Sequence, residues 1–295
     1  MPSHIVAFLN FKGGVGKTTN TVNIAAIMAM HKQLAGRRVL VIDLDPQSNT
    51  TLWLINREGY RKAFENDLTI HKLFTSFEKG GKPDLSSLIQ TGVLENLTTG
   101  GRLDLVPGSF QMLELEERPS LGHHIKQADG VLAAALRPLR EDYDYILIDC
   151  PPAWSLFTRN ALRAADFILV PYTPDYLALE GIKWINQLLR KYTHDSAPNR
   201  VAKLGGVIVN RYRNFQPVQA ALLEMREVLD VYSQLQNLDI QVFEPMIREA
   251  SAVTDSNNVQ QALVTERPYD PVTKDLVALT QNLITFFQRF PKPDA

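Results

Sequence analysis

The stretch "FKGGVGKTTN", residues 11 to 20, limits what this chain can fold into more than any other feature. A run of the form G-x-x-x-x-G-K-[ST] belongs between a strand and a helix, where its backbone N–H groups wrap around phosphate oxygens. Aligning that template on Gly16-Lys17-Thr18 puts Phe11 in place of the first glycine and leaves an additional lysine, Lys12, inside the loop. The context fits: an apolar run from Ile5 to Phe11 precedes the loop and a helical pattern from Asn20 to Leu34 follows it. Gly13, Gly14 and Gly16 allow positive φ and close approach to an anion at a helix start. Lys17 would then face the β and γ phosphates, and the Thr18 hydroxyl would reach Mg²⁺.

Further short apolar runs recur at Val39 to Leu44, Leu103 to Val106, Tyr145 to Asp149, Phe167 to Val170, Leu204 to Val209 and Ile240 to Phe243, with helical patterns between them. Buried parallel strands joined by crossover helices read this way. The expected fold is therefore α/β, a doubly wound, mostly parallel sheet with helices on both faces, with ligands at the carboxyl ends of the strands. The 295 residues are expected to form a single domain, 1–295, with an irregular insertion around 56–101 that includes a turn at Glu78 to Pro83. A last helix is expected through Leu283 to Phe290, ended by Pro291.

Two further segments supply acids at strand ends. "VLVIDLDPQSNTT", Val39 to Thr51, places Asp43 and Asp45 two residues apart, so both carboxylates can share a face of a strand. One could hold the metal's water shell while the other orients an attacking water; alternatively Asp45-Pro46 opens a turn or caps a helix. "YDYILIDCPP", Tyr143 to Pro152, is an apolar strand ending in Asp149, the pattern of an acid that holds Mg²⁺.

Composition excludes several classes. With 45% hydrophobic and 21% charged residues the chain is ordinary for a globular protein. The formal net charge of -1 offers no bulk attraction to nucleic acid. The first apolar run is stopped by Asn10 and Lys12 too early for a signal sequence or a membrane span, so a cytoplasmic location is expected. A single cysteine, Cys150, permits no internal disulfide and no two-cysteine shared cluster. The six histidines, His123-His124 included, lack a zinc-ligand spacing.

Taken together, "KGGVGKTT", "VIDLDPQSNTT", "YILIDCPP" and "LALEG" (Leu177 to Gly181) resemble the ParA/MinD family of deviant Walker A ATPases, and its ParA branch more closely. The resemblance implies a slow ATPase that uses ATP and Mg²⁺ and forms a nucleotide-sandwich homodimer when ATP is bound. It implies that Lys12 reaches across that dimer to the partner's phosphates, as an arginine finger does. Gly13, Gly14, Val15, Gly16, Lys17, Thr18 and Thr19 would form the phosphate and metal cradle. Asp45 would orient the water, Asp43 would lie near the metal beside Asp149, and Asn210 and Pro245 would line the adenine pocket. The usual family run "IPRNVR" stands here as "FEPMIREA". Non-specific DNA, a ParB-like or other cargo-adaptor protein, and nucleoid association in the ATP state are the implied partners and place. Lys203, Arg211, Arg213 and Arg226 are the candidate DNA contacts. The alternative is a MinD-like membrane-positioning ATPase, which would need a basic amphipathic C-terminal helix; residues 283 to 290, followed by Lys292 and Pro293, supply phenylalanines but few cations. The first strand begins so near Met1 that no helix-turn-helix domain is expected before it, as in the short ParA form.

Overall fold

A computed structural model describes residues 3–34, 36–96, 98–118, 128–174, 178–195 and 202–290; His123, His124, Leu177, Pro291, Lys292 and Pro293 lie outside them. Eight strands form one sheet: β1 (His4–Phe8), β2 (Arg38–Asp43), β3 (Gln90–Asn96), β4 (Gly101–Val106), β5 (Tyr145–Asp149), β6 (Phe167–Tyr172), β7 (Lys203–Val209) and β8 (Gln241–Phe243). Their order is β3-β4-β2-β5-β1-β6-β7-β8. All neighbours pair in parallel except β3 with β4.

The central strands are buried on both faces, and alternation divides their side chains between two cores. Ile5, Ala7, Leu40, Ile42, Ile146 and Ile148 point to one face. Val6, Phe8, Val39, Val41, Tyr145 and Leu147 point to the other.

Helices cover both faces. α1 (Lys17–Met30), α2 (Asn49–Glu65), α3 (Ile70–Glu78), α4 (Met112–Glu116), α5 (Val131–Leu136), α6 (Leu156–Ala164), α7 (Ala178–Asp195), α8 (Gln216–Gln236), α9 (Ser251–Val259), α10 (Leu263–Glu266) and α11 (Pro271–Gln288) follow in chain order. α3, α6, α7 and α8 pack into the first core. α1 and α11 pack into the second. The final helix is therefore a core element: Phe286 and Phe287 sit 5.5 and 5.6 Å from the Phe167 ring. Among the described residues no helix is long and apolar enough to cross a membrane.

All seven strands expected from apolar runs form. The stretch 56–101 holds the end of α2, all of α3 and the edge strand β3. α2 is kinked at Asn56 (φ 56°). There the Asn56 Oδ1 accepts from the N–H groups of Glu58 and Gly59 and so caps the second half of the helix.

Candidate nucleotide site

The sheet register brings the acids together. Asp149 at the end of β5 is level with Phe8 on β1 and with Asp43 on β2. The phosphate loop leaves β1 at this edge and runs directly into α1, whose first turn has Gly16 before it at φ 98°. A side chain there is excluded twice, since a Cβ would also stand 2.8 Å from the Asn210 amide nitrogen. Asn210, buried at the end of β7, donates from Nδ2 to the Val15 carbonyl at 2.9 Å and so fixes the loop's curve. Phe11 is accommodated because its ring packs edge-on against Trp154, 6.5 Å between centroids.

Lys17 is buried, and its Nζ donates to the Lys12 carbonyl at 3.1 Å. Burial lowers its pKa, while the charges of Asp149 and Asp45 act the other way. Lys12 itself is exposed.

Asp149 Oδ2 accepts from the hydroxyls of Thr18 and Thr50, each at 2.7 Å. Its Oδ1 is buried with no hydrogen-bond partner among the described residues. Burial raises this carboxyl to about 6, against the two hydroxyl bonds that favour its charge. Asp45 is nearly buried, accepts from the Gln47 N–H at 2.9 Å, and has its pKa raised by burial.

Asp43, level with Asp149, has both carboxylate oxygens engaged by the chain: Oδ1 accepts from the Asp45 N–H at 3.1 Å, and Oδ2 accepts from both the N–H and the hydroxyl of Thr51. Gly108 closes over it so tightly that a Cβ would lie 2.9 Å from its carboxyl carbon. Full burial, then the Asp149 charge, push its pKa well above the carboxylate range. Asp43 thus holds the loop that carries Asp45.

A cavity of about 490 Å³ runs along the loop from Asp45, Gln47 and Pro152, past Gly13 to Thr19, to Asn210, Arg211 and the segment Ile247 to Ala250. Pro245 is not part of this wall; it lies in a separate cleft with Tyr212, Glu244 and Asp275. Arg248, bridged in parallel to Tyr212, lines both this cleft and the cavity. The four candidate DNA contacts do not converge either. Lys203 starts β7 at the amino edge of the sheet, roughly 20 Å of strand away from Arg211. Arg213 is paired with Glu249, Arg226 with Glu244, and Arg211 lines the cavity. Sequence reasoning passed over Thr50 and Thr51, although two hydroxyls directly after "DPQSN" were a signal that the acids have donors close by.

This fold and loop define a P-loop nucleotide-binding protein. Residues 3–200 match the family model described as an AAA domain, and the chain belongs to that family as a ParA-like member of the ParA/MinD group. It is 35% identical over 188 residues to the sporulation initiation inhibitor protein Soj of Bacillus subtilis, covering 63% of this chain and 64% of that protein, so it spans just under two thirds of that relative. It is 31% identical over 208 residues to the chromosome-partitioning ATPase Soj of Treponema pallidum, covering 70% of this chain and 71% of the other. Among solved structures, a Cyanothece McdA complex with ATP superposes with a TM-score of 0.69 at 22% identity, over 95% of this chain and 96% of that one. The cell division ATPase MinD of Pyrococcus furiosus does so with a TM-score of 0.67 at 20% identity, over 96% and 99%. These two likenesses concern the fold.

Proposed function

We propose that this chain is an ATP-dependent switch of the ParA type: an ATPase that dimerises on ATP, binds DNA without sequence preference, and is returned to the free state by hydrolysis that a cargo-adaptor protein stimulates. The observation that carries the reading is the meeting of Lys17, Thr18, Asp45 and Asp149 at one edge of the sheet, with Asp149 Oδ1 left unpartnered beside the Thr18 hydroxyl. Hard oxygen donors of this kind suit Mg²⁺, so Thr18 and Asp149 are the residues that would hold it. When bound, Mg²⁺ supplies charge neutralisation at the β and γ phosphate oxygens.

The remaining work falls to the chain's own groups. The loop N–H groups and Lys17 bind and orient the phosphates. Asp45, kept in place by the Asp43 network, orients the attacking water. Lys12, exposed on the loop, closes the site of a second copy. Turnover without a partner should stay well below the roughly 10 s⁻¹ median for enzymes, because a positional switch needs a lasting bound state. The partitioning role is supported by the likeness to relatives named for it. The adaptor would be ParB-like, and the cargo DNA or a large assembly.

The test is binding to a random-sequence duplex and, in parallel, to anionic liposomes, with ATP, ADP or no nucleotide, at two salt concentrations. ATP-dependent binding to the duplex that weakens steeply with salt is expected, since it rests on phosphate contacts. Liposome binding without duplex binding would replace this reading with a membrane switch.

A further inference from the structure

The far wall of the cavity carries a cation that the phosphate chemistry does not use. After β7, Asn210 is anchored on both sides: its N–H donates to the Tyr172 carbonyl at 2.7 Å and its amide to Val15. Two residues on, the Tyr212 N–H donates to the Ile247 carbonyl at 2.9 Å. Between these fixed points Arg211 is held at φ 54°, a left-handed conformation uncommon for a long side chain. Its exposed side chain lines the cavity.

The neighbouring arginines are engaged elsewhere. Arg213 is paired with Glu249, and Arg248 grips Asp275 with two N–H groups, one at 2.9 Å. Arg211 has no ion pair among the described residues.

The strand order sets which part of a nucleotide Arg211 meets. β2, which delivers Asp45, and β7, which delivers Arg211, lie on opposite sides of β1, four strand spacings apart in all. At about 4.8 Å per spacing that is roughly 19 Å, the scale of an extended nucleoside triphosphate. With the terminal phosphate toward Asp45, the base reaches the wall formed by Arg211, Ile247, Ala250 and Val253. We infer that Arg211 is a base-reading residue, its planar guanidinium covering the purine ring of the nucleotide whose phosphates the loop holds. A planar, delocalised cation suits a ring face in a way that a lysine ammonium does not. The inference rests on the proposed reading of the loop as an ATP site.

Calorimetric titration of wild type, Arg211→Ala and Arg211→Lys with ATP, ADP, CTP and inorganic tripolyphosphate, all with Mg²⁺, tests it, with thermal melts confirming that each variant is folded. Arg211→Ala is expected to weaken ATP and ADP alike, by roughly 5- to 30-fold. The preference for ATP over CTP should narrow, tripolyphosphate affinity should be unchanged, and Arg211→Lys should restore little. Unaltered ATP affinity in Arg211→Ala, or a loss for ATP and tripolyphosphate that spares ADP, would overturn the assignment, the second outcome making Arg211 a phosphate contact. A wild-type protein that binds no ATP would instead remove the ATP-site reading itself.

Discussion

At the scale of single residues, titratable side chains are set against solvent as well as against one another. His71, on α3, is partly buried, and neither ring nitrogen has a hydrogen-bond partner among the described residues. Burial holds its imidazole below the ordinary value, with Asp67, Glu114 and Glu78 raising it and Arg118 lowering it further. Above about pH 6.5 both folded and unfolded chains carry a neutral ring, and this group contributes no slope. As pH falls below that value the unfolded chain takes up the proton first, so stability is lost toward acid. The raised carboxyls of Asp43 and Asp149 act in the opposite direction, gaining as pH falls. The contribution of His71 is therefore read as a difference. Urea titrations from pH 7.5 to 5 should show His71→Gln, neutral throughout, losing less stability toward acid than wild type. Parallel curves for the two proteins would mean that the ring is protonated in the fold as easily as outside it.

At the scale of elements, what was legible in the sequence is what local pattern can encode. The seven apolar runs specify buried strands because strands covered on both faces need apolar residues at nearly every position. β3 was missed for the opposite reason: "QTGVLEN" is an edge strand of mixed polarity, with Gly92 at φ 67° and a shift of register between Gln90 and Leu94. The loop between β1 and α1 was legible because seven consecutive residues, Gly13 to Thr19, encode it. The threonine shell of Asp149 and the Arg211 wall were not, because Thr50 and Asp149 stand 99 positions apart and only the sheet unites them. The last helix carries phenylalanines and few cations, the pattern of a packing element more than of a membrane-binding one, and the core contacts of Phe286 with Phe167 and Phe243 agree. Phe286→Ala should accordingly cost about 3–5 kcal/mol in chemical denaturation, the range for a buried aromatic. A variant as stable as wild type, or one that alters liposome binding instead, would make this helix a surface element.

At the scale of the whole molecule, the two lysines of the loop have different surroundings, and that difference bears on assembly. Lys17 is buried against the loop and lines the cavity, whereas Lys12 is exposed and does not. The Lys12 carbonyl nevertheless accepts from Lys17, so a change in one lysine's environment is felt by the backbone of the other. A chain with net charge -1, whose Arg213 and Arg226 are each paired with a glutamate, has little long-range attraction for DNA as a single copy. Under the proposed ParA-type switch, ATP-dependent binding to DNA would need two copies to place their surfaces side by side, and Lys12 would then act on DNA only through the dimer. Lys17→Ala should lose nucleotide binding in titration calorimetry. Lys12→Ala should keep ATP affinity within about twofold of wild type, since an exposed side chain outside the cavity adds little to binding in cis. In sedimentation with ATP it should remain a monomer, and its salt-sensitive binding to a duplex should fall to the level seen with ADP. A Lys12→Ala protein that dimerises as wild type does would make this lysine an ordinary loop residue, and the ATP signal would have to reach the dimer surface by another route.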